Sequence, residues 1–134
     1  TLPLGKAKLL REGSDLTVVT YGMGVHWALK ALGAHLEIEA DLIDLRSLVP
    51  LDKAAVLKSV NKTGKAIILH EDTLFGGIGG ELSALISESC FEVLDAPVMR
   101  CGSLDTPVPF ASALEEDFLA NHRFTEKLLE LYNY

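Results

Sequence analysis

Short apolar runs alternate along this chain with segments that carry apolar residues at helical spacing. The runs are Leu16–Thr20, Ala40–Leu45, Ala66–His70 and Pro97–Cys101. Apolar residues that fill both alternating positions of a run are typical of strands buried on both faces, as in parallel sheets. Because a helical segment follows each run, the order predicts an α/β fold, with helices covering both faces of a mainly parallel sheet.

The helical segments are recognised by their apolar stripes and end signals. Asp52 is a good N-cap for the second helix, and Thr63-Gly64 is expected to end it. Lys6–Glu12 predicts a short edge strand, while Thr106–Pro109 predicts a rigid connector that cannot be helix. The four stripes are Val25, Ala28, Leu29, Leu32 and Leu36; Val56, Leu57 and Val60; Leu82, Leu85, Ile86, Cys90 and Val93; and Phe124, Leu128, Leu131 and Tyr132.

Length and composition bound the function classes. The 134 residues suit one domain, which we place at 6–134 after a linker at 1–5. A net charge of −7 argues against nucleic-acid binding, and no apolar run predicts a membrane span or a signal peptide. Cys90 and Cys101 form no disulfide framework, so a reducing, intracellular setting is expected. Because the chain begins with Thr1 rather than Met, we expect a fragment or a processed piece.

One motif imitates a dinucleotide-binding fingerprint. Gly22-Met-Gly-Val-His-Trp27 follows a strand and opens a helix, and Asp44 lies at the end of the next strand. Trp27, however, stands where a Gly or Ala must let helix and strand pack closely. We therefore interpret the segment as a tight turn, with Trp27 as a core or interface anchor.

The segment 69–81, "LHEDTLFGGIGGE", is the most unusual loop in the chain. It lacks the Gly-Lys-Ser/Thr ending of a phosphate-binding P-loop, and Leu74 stands where a zinc-protease helix needs its second histidine. Two interpretations stay open. The glycines could present backbone N–H groups as an anion site at the next helix, or they could let two backbones approach closely. At least one of these four glycines should then have a positive φ or lie against another backbone.

No catalytic arrangement is evident in the sequence. His26, His35, His70 and His122 lack the further ligands of a metal site, and no Ser-His-Asp or Cys-His set can be named. The acids Glu115, Glu116 and Asp117 predict either a solvated face or a docking patch for a basic partner.

Several blocks together resemble a known family. The sequence is similar to the C-terminal domain of the beta subunit of thiamine-diphosphate-dependent 2-oxo acid dehydrogenases, of the branched-chain (2-oxoisovalerate) or pyruvate type. The resemblance covers almost the whole chain and rests on the blocks "VTYGMGVHWAL", "DLIDLRSLVPLD", "SVNKTGKAIILHE", "GGIGGEL", "LDAPVMRCGSLDTPVPF" and "LLELYNY". It implies a transketolase C-terminal-like fold, which is a three-layer α/β/α sandwich on a five-stranded mixed sheet of order 1-3-2-4-5, with the first strand antiparallel.

The resemblance also implies a function. In that family thiamine diphosphate and magnesium lie between the alpha subunit and the beta subunit's N-terminal domain, so no catalytic, cofactor or metal residue is assigned here and the chain by itself is expected to be inactive. It would hold a second beta subunit, contact the alpha subunit and receive the subunit-binding domain of the lipoyl acyltransferase, in a bacterial cytoplasm or a mitochondrial matrix. A self-sufficient small-ligand or anion-binding module, and the matching domain of a transketolase or deoxyxylulose-phosphate synthase, are the alternatives.

The implied strand order places a switch point between Leu16–Thr20 and Ala66–His70, flanked by the loops Tyr21–His26 and Asp72–Gly80. We expect this surface to serve packing between domains and subunits, with His70 and Glu71 orienting the loop by hydrogen bonds. The loop itself departs from the family's commoner "EAP-x-TGGFGAE". The predicted interface or switch-point residues are Tyr21, His26, Trp27, His70, Glu71, Leu74, Phe75, Gly76, Gly77, Ile78, Gly79 and Gly80.

Overall fold

Five strands form one mixed sheet in a computed structural model that describes all residues, 1–134. The strands are β1 Lys8–Arg11, β2 Leu16–Thr20, β3 Ala40–Asp44, β4 Ala66–Thr73 and β5 Met99–Ser103. The helices are α1 Met23–Ala34, α2 Lys53–Thr63, α3 Ile78–Cys90, α4 Ser112–Phe118 and α5 Asn121–Tyr132, with a 3-10 turn at Phe91–Val93 after α3.

The sheet order is β1-β3-β2-β4-β5, with β1 antiparallel to β3 and the other neighbours parallel. This confirms the order and the strand direction that the resemblance implied. β2 is central, and Thr20 at its carboxyl end is in register with Asp44 of β3 and Leu69 of β4. The carboxyl ends of β2 and β3 therefore meet at one edge of the sheet, where the chain order reverses, and β4 continues past them to Thr73.

Two apolar layers cover the sheet, one on each face. On one side Val18, Leu42 and Ile67 pack with Leu32 of α1 and Phe124 of α5. On the other side lie Val19, Ile43 and Ile68 of the sheet, packed with residues of α2 and α3 such as Val56, Val60, Leu82 and Ile86. All five residues of β2 are buried, as expected of a strand that has helices on both faces.

The ends of α2 follow the predicted signals. Asp52 Oδ1 accepts a hydrogen bond from Ala55 N at 3.2 Å, and its Oδ2 accepts one from Ala7 N at 3.0 Å. Gly64 ends the helix in the left-handed region with φ 74°, which a glycine adopts without steric cost. Asp52 thus caps α2 and also ties the segment before β1 to it.

Two details of the predicted stripe in α1 are wrong. Leu29 and Leu36 are 44% and 75% exposed. The helix ends at Ala34, before Leu36, and the chain then turns so that Ile38 fills the buried position. The apolar spacing predicts about one helical turn too many, because Leu36 continues that spacing after the helix has ended.

Two further differences affect the candidate site. β4 extends to Thr73, so Glu71 and Asp72 lie in a strand and not in a loop, because Thr73 pairs with Ser103 beyond an irregularity in the ladder. The helix α4 was not predicted, since Phe118 is its only buried residue and gives no stripe. No helix of the fold is long and apolar enough to cross a membrane.

Candidate functional site

Glu71 closes the mouth of the switch point between β2 and β4. Its Oε1 accepts a hydrogen bond from Met23 N, the first residue of α1, at 3.1 Å. A helix N-terminus after the first strand of such a unit is where a dinucleotide fold places its pyrophosphate. Glu71 therefore supplies from within the chain the negative charge that this helix end favours, which supports the interpretation of Gly22–Trp27 as a tight turn and not as a dinucleotide site.

Tyr21 lies at this mouth beside two carboxylates. Burial, and then the carboxylates of Asp72 and Glu71, raise the pKa of its phenol. An additional anion would meet the same two carboxylates. The residues at this mouth thus do not fit a magnesium–diphosphate group, because its phosphates would have to displace Glu71 from the N-terminus of α1.

His70 is completely buried beneath the glycine loop. Its Nδ1 lies 2.9 Å from the carbonyl oxygen of Asp72. Because a carbonyl only accepts, Nδ1 carries the proton, and Nε2 is left as a buried acceptor without a partner. Burial lowers the pKa of His70, against the opposing effect of its bond to Asp72, so the ring is held neutral.

Three glycines enclose the His70 ring. A Cβ on Gly79 would lie 2.5 Å from Nε2, and a Cβ on Gly102 of β5 would lie 2.7 Å from Cε1. A Cβ on Gly77 would collide with the carbonyl oxygen of Thr73, and Gly76 has φ 74°. The expectation of a positive φ or a close backbone approach is therefore confirmed, and these contacts support the loop-orienting role that we predict for His70.

Gly102 was missed in the sequence. A glycine inside a strand often marks a close approach of another group, but the predicted strand ends at Cys101, one residue before Gly102, whereas β5 continues to Ser103. Which group approaches could not be read, because His70 lies on a neighbouring strand and meets Gly102 only once β4 and β5 pair.

Hydrogen bonds hold the loop in a fixed shape with Phe75 outside. Phe75 N donates to Asp105 Oδ1 at 2.8 Å, and Thr73 Oγ1 donates to the Phe75 carbonyl at 3.1 Å. Arg100 Nη1 donates to the carbonyl of Leu74 at 3.2 Å, and Ser103 Oγ donates to that of Glu71. Although the backbone is tied down, the Phe75 side chain is 86% exposed.

Leu74, Phe75 and Ile78 form what we name the apolar patch. The bond from Phe75 to Asp105 links it to the connector 104–110, which carries the exposed Leu104, Val108 and Phe110. A cavity of about 550 Å³ lies at the patch, and its charged lining residues are Arg100, Glu81 and Asp105. Because two acidic side chains outnumber the one cationic side chain, the lining of this cavity is not suited to an anion. Large apolar side chains that are exposed to solvent favour a protein partner instead.

The other predicted site residues lie apart from this cluster. His26 is exposed on α1, and Trp27 is half-buried against the layer of α1 and α5. Glu115, Glu116 and Asp117 are all exposed on α4. No group of three or more His, Cys, Asp or Glu side chains is placed to hold a metal ion.

Comparison with known proteins shows the family. The family model "Transketolase, C-terminal domain" matches residues 5–123. The chain is 47% identical over 124 residues to a 2-oxoisovalerate dehydrogenase subunit beta of Bacillus subtilis, covering 90% of this chain and 38% of that one. It is 38% identical over 117 residues to a pyruvate dehydrogenase E1 component subunit beta of Rickettsia felis, covering 86% and 36%.

A solved structure agrees with these relatives. A chain described as "Split gene transketolase, inactive beta4 tetramer" superposes with a TM-score of 0.75 at 27% identity, covering 98% of this chain and 43% of that one. This chain therefore spans well under half the length of these three proteins. The resemblance seen in the sequence is confirmed, and the chain belongs to the transketolase C-terminal domain family, with beta subunits of 2-oxo acid dehydrogenases among its relatives.

Proposed function

We propose that this chain is the C-terminal assembly domain of the beta subunit of a thiamine-diphosphate-dependent 2-oxo acid dehydrogenase, and that it is not catalytic by itself. The observation that carries the proposal is the apolar patch, in which Phe75 is 86% exposed on a backbone fixed by hydrogen bonds. A rigid, exposed aromatic side chain is suited to a protein interface because little conformational entropy is lost when it is buried.

The chemistry of the switch point supports the non-catalytic part of the proposal. His70 is buried and neutral, and one carboxylate oxygen of the exposed Glu71 is bonded to the N-terminus of α1, so neither is paired with a partner for proton transfer. In the full enzyme, thiamine diphosphate would supply the decarboxylation chemistry, and with magnesium it would be bound by parts other than this chain. The reaction we propose for that enzyme is oxidative decarboxylation of a branched-chain 2-oxo acid or pyruvate, with acyl transfer to lipoamide.

The proposed partners follow from the same surfaces. A second beta subunit would cover the apolar patch, and the alpha subunit would contact the assembled pair. The exposed acids Glu115, Glu116 and Asp117 would attract a basic subunit-binding domain of the lipoyl acyltransferase, in a chain with a net charge of −7. A bacterial cytoplasm or a mitochondrial matrix is the proposed location.

Sedimentation of the chain and of Phe75→Asp tests the assembly role. We expect the chain to sediment as a dimer. Phe75→Asp should shift the monomer–dimer equilibrium toward monomer, because its carboxylate would be buried at the interface without a partner. Phe91→Asp is the matched control, since Phe91 is 76% exposed in the turn after α3. If Phe75→Asp associates as strongly as Phe91→Asp does, the apolar patch is not the interface.

Calorimetry with thiamine diphosphate and magnesium tests the non-catalytic part separately. We expect no binding heat. A 1:1 isotherm of micromolar affinity would contradict the proposal, whatever the oligomeric state.

The alternatives receive different support. The matching domain of a transketolase is supported by the structural neighbour, but at 27% identity against 47% for the dehydrogenase relative. An anion-binding module at the switch point is disfavoured by Glu71, whose carboxylate already lies at the N-terminus of α1. Sequencing the full gene would separate these alternatives, because a pyrimidine-binding domain encoded before Thr1 would support a dehydrogenase beta subunit or a transketolase over a self-sufficient module.

A further inference from the structure

His70 carries a buried nitrogen that the proposed function does not use. The ring is completely buried, Nδ1 donates to the carbonyl oxygen of Asp72 at 2.9 Å, and Nε2 has no hydrogen-bond partner. Nε2 is therefore the nitrogen that would take a second proton. A Cβ on Gly79 would lie 2.5 Å from Nε2, so the glycine loop, residues 74–80, covers the position at which this proton would bind.

A protonated His70 does not suit the closed loop. The ring would bury a positive charge and an N–H group that has no acceptor, and both are unfavourable away from water. Water can reach Nε2 only if the loop moves off the ring. Gly76 supplies a position at which the loop can turn, because it has φ 74° and open space around its Cα.

The charged groups around His70 do not supply the missing acceptor. Burial, the largest effect, lowers the pKa of the ring, the hydrogen bond and carboxylate of Asp72 raise it, and the guanidinium of Arg100 lowers it. Arg100 also donates to the carbonyl of Leu74, so a charged ring would be repelled by a group that holds the loop closed. Nε2 is likewise not bonded to the other titratable side chains at this end of β2, β4, α3 and β5, which are Tyr21, Glu71, Glu81 and Asp105.

The same loop carries the apolar patch, since Phe75 lies directly before Gly76 and is held by the bonds to Asp105 and Thr73. We propose that His70 is a pH switch of the glycine loop, in which protonation of Nε2 opens the loop and moves the apolar patch from its position. The open loop binds one proton more than the closed loop, so association through the patch weakens as pH falls. This second step rests on the proposed assembly function, whereas the opening of the loop does not.

Nuclear magnetic resonance of the unmutated chain tests the opening of the loop. The His70 ring is titrated between pH 7.5 and 5, and hydrogen exchange of the Phe75 amide is followed after correction for the intrinsic effect of pH on exchange. Protection of this amide is expected to fall at least about fivefold through the midpoint of the ring, while that of Ile68 in the core of β4 stays unchanged. In His70→Asn the fall at Phe75 should be absent. A ring that titrates while protection at Phe75 stays constant would overturn the proposal.

Sedimentation equilibrium at pH 7.5 and 5.5 tests the effect on association. The dissociation constant of the dimer is expected to rise at least about fivefold at pH 5.5 in the unmutated chain, but not in His70→Asn. His122→Asn is the matched control, because His122 is exposed on α5, and it should behave as the unmutated chain does. The same pH dependence in both variants, each shown by circular dichroism to be folded, would overturn the effect on association. A chain that is monomeric at both pH values contradicts the assembly function, and exchange at Phe75 then supports or overturns the switch by itself.

Discussion

Gly79 and Gly80 are neighbours in the first turn of α3, and they are expected to respond to alanine in opposite directions. A Cβ on Gly79 would lie 2.5 Å from His70 Nε2, whereas a Cβ on Gly80 has only Arg100 Nη1 near it, at 3.8 Å. Both substitutions would gain about 0.4–1 kcal/mol in helix propensity and unfolded-state entropy. Only Gly79→Ala forces the enclosed ring of His70 to move.

The magnitude follows from these two effects. Overpacking a filled site costs about 1–3 kcal/mol, and His70 cannot swing away without breaking its 2.9 Å bond to Asp72. Gly79→Ala is therefore expected to lower the free energy of unfolding by about 1–2 kcal/mol after the propensity gain. Gly80→Ala is expected to raise it by about 0.5 kcal/mol.

Urea unfolding followed by circular dichroism measures both values, with an unchanged m-value showing that only stability has changed. The double mutant His70→Ala/Gly79→Ala identifies the cause. His70→Ala alone should be destabilising because it leaves a cavity. The double mutant should be no less stable than His70→Ala, because the ring that Gly79→Ala would displace is then absent. Equal stability of Gly79→Ala and Gly80→Ala would refute the reasoning. So would a double mutant in which Gly79→Ala lowers the free energy of unfolding as much as it does when the His70 ring is present.

Two other predictions concern buried polar groups. Burial lowers the pKa of His70, so the unfolded chain binds a proton at this ring more readily than the folded chain does, and stability should decline as pH falls below the ordinary value of 6.5. This extra acid sensitivity should be absent in His70→Asn, and an equal slope of unfolding free energy against pH in both chains would contradict the prediction. Asp41 is 1% exposed and accepts bonds from Lys62 Nζ at 2.7 Å, Ser59 Oγ at 2.6 Å and Gly13 N at 2.9 Å. Asp41→Asn should therefore lower the free energy of unfolding by about 1–3 kcal/mol, measured by thermal or urea unfolding. Asp44→Asn is the control and should cost much less, because the hydrogen bond that Asp44 accepts from Arg46 N is exposed.

Most of the fold could be predicted from the sequence, because its signals are local. The apolar run Leu16–Thr20 corresponds to β2, and Asp52 and Gly64 mark the ends of α2 by side-chain and backbone chemistry that acts within one turn. The order and directions of the strands came from the family resemblance. Alternation alone predicts a mainly parallel sheet but does not say which strand lies beside which.

The contacts at the switch point could not be predicted, because they join residues far apart in the chain. Glu71 reaches α1 across 48 positions, and the ring of His70 meets Gly102 from a neighbouring strand. The helix α4 was missed for another reason. It buries only Phe118, so it lacks the repeated apolar spacing on which helix prediction depends.

These contacts are consistent with the proposed assembly role of a fold whose switch point elsewhere binds ligands. In a dinucleotide-binding relative of this architecture, the ligand supplies the anion at the first helix and keeps the mouth polar. Here Glu71 supplies that anion, and His70 fills the space beneath the loop, so the functions of a ligand are met by the chain's own residues. Because the loop then needs no mobility to admit a ligand, its glycines can pack tightly against His70 and hold Phe75 at a fixed place in solvent. A surface built in this way has the rigidity that an interface between subunits requires.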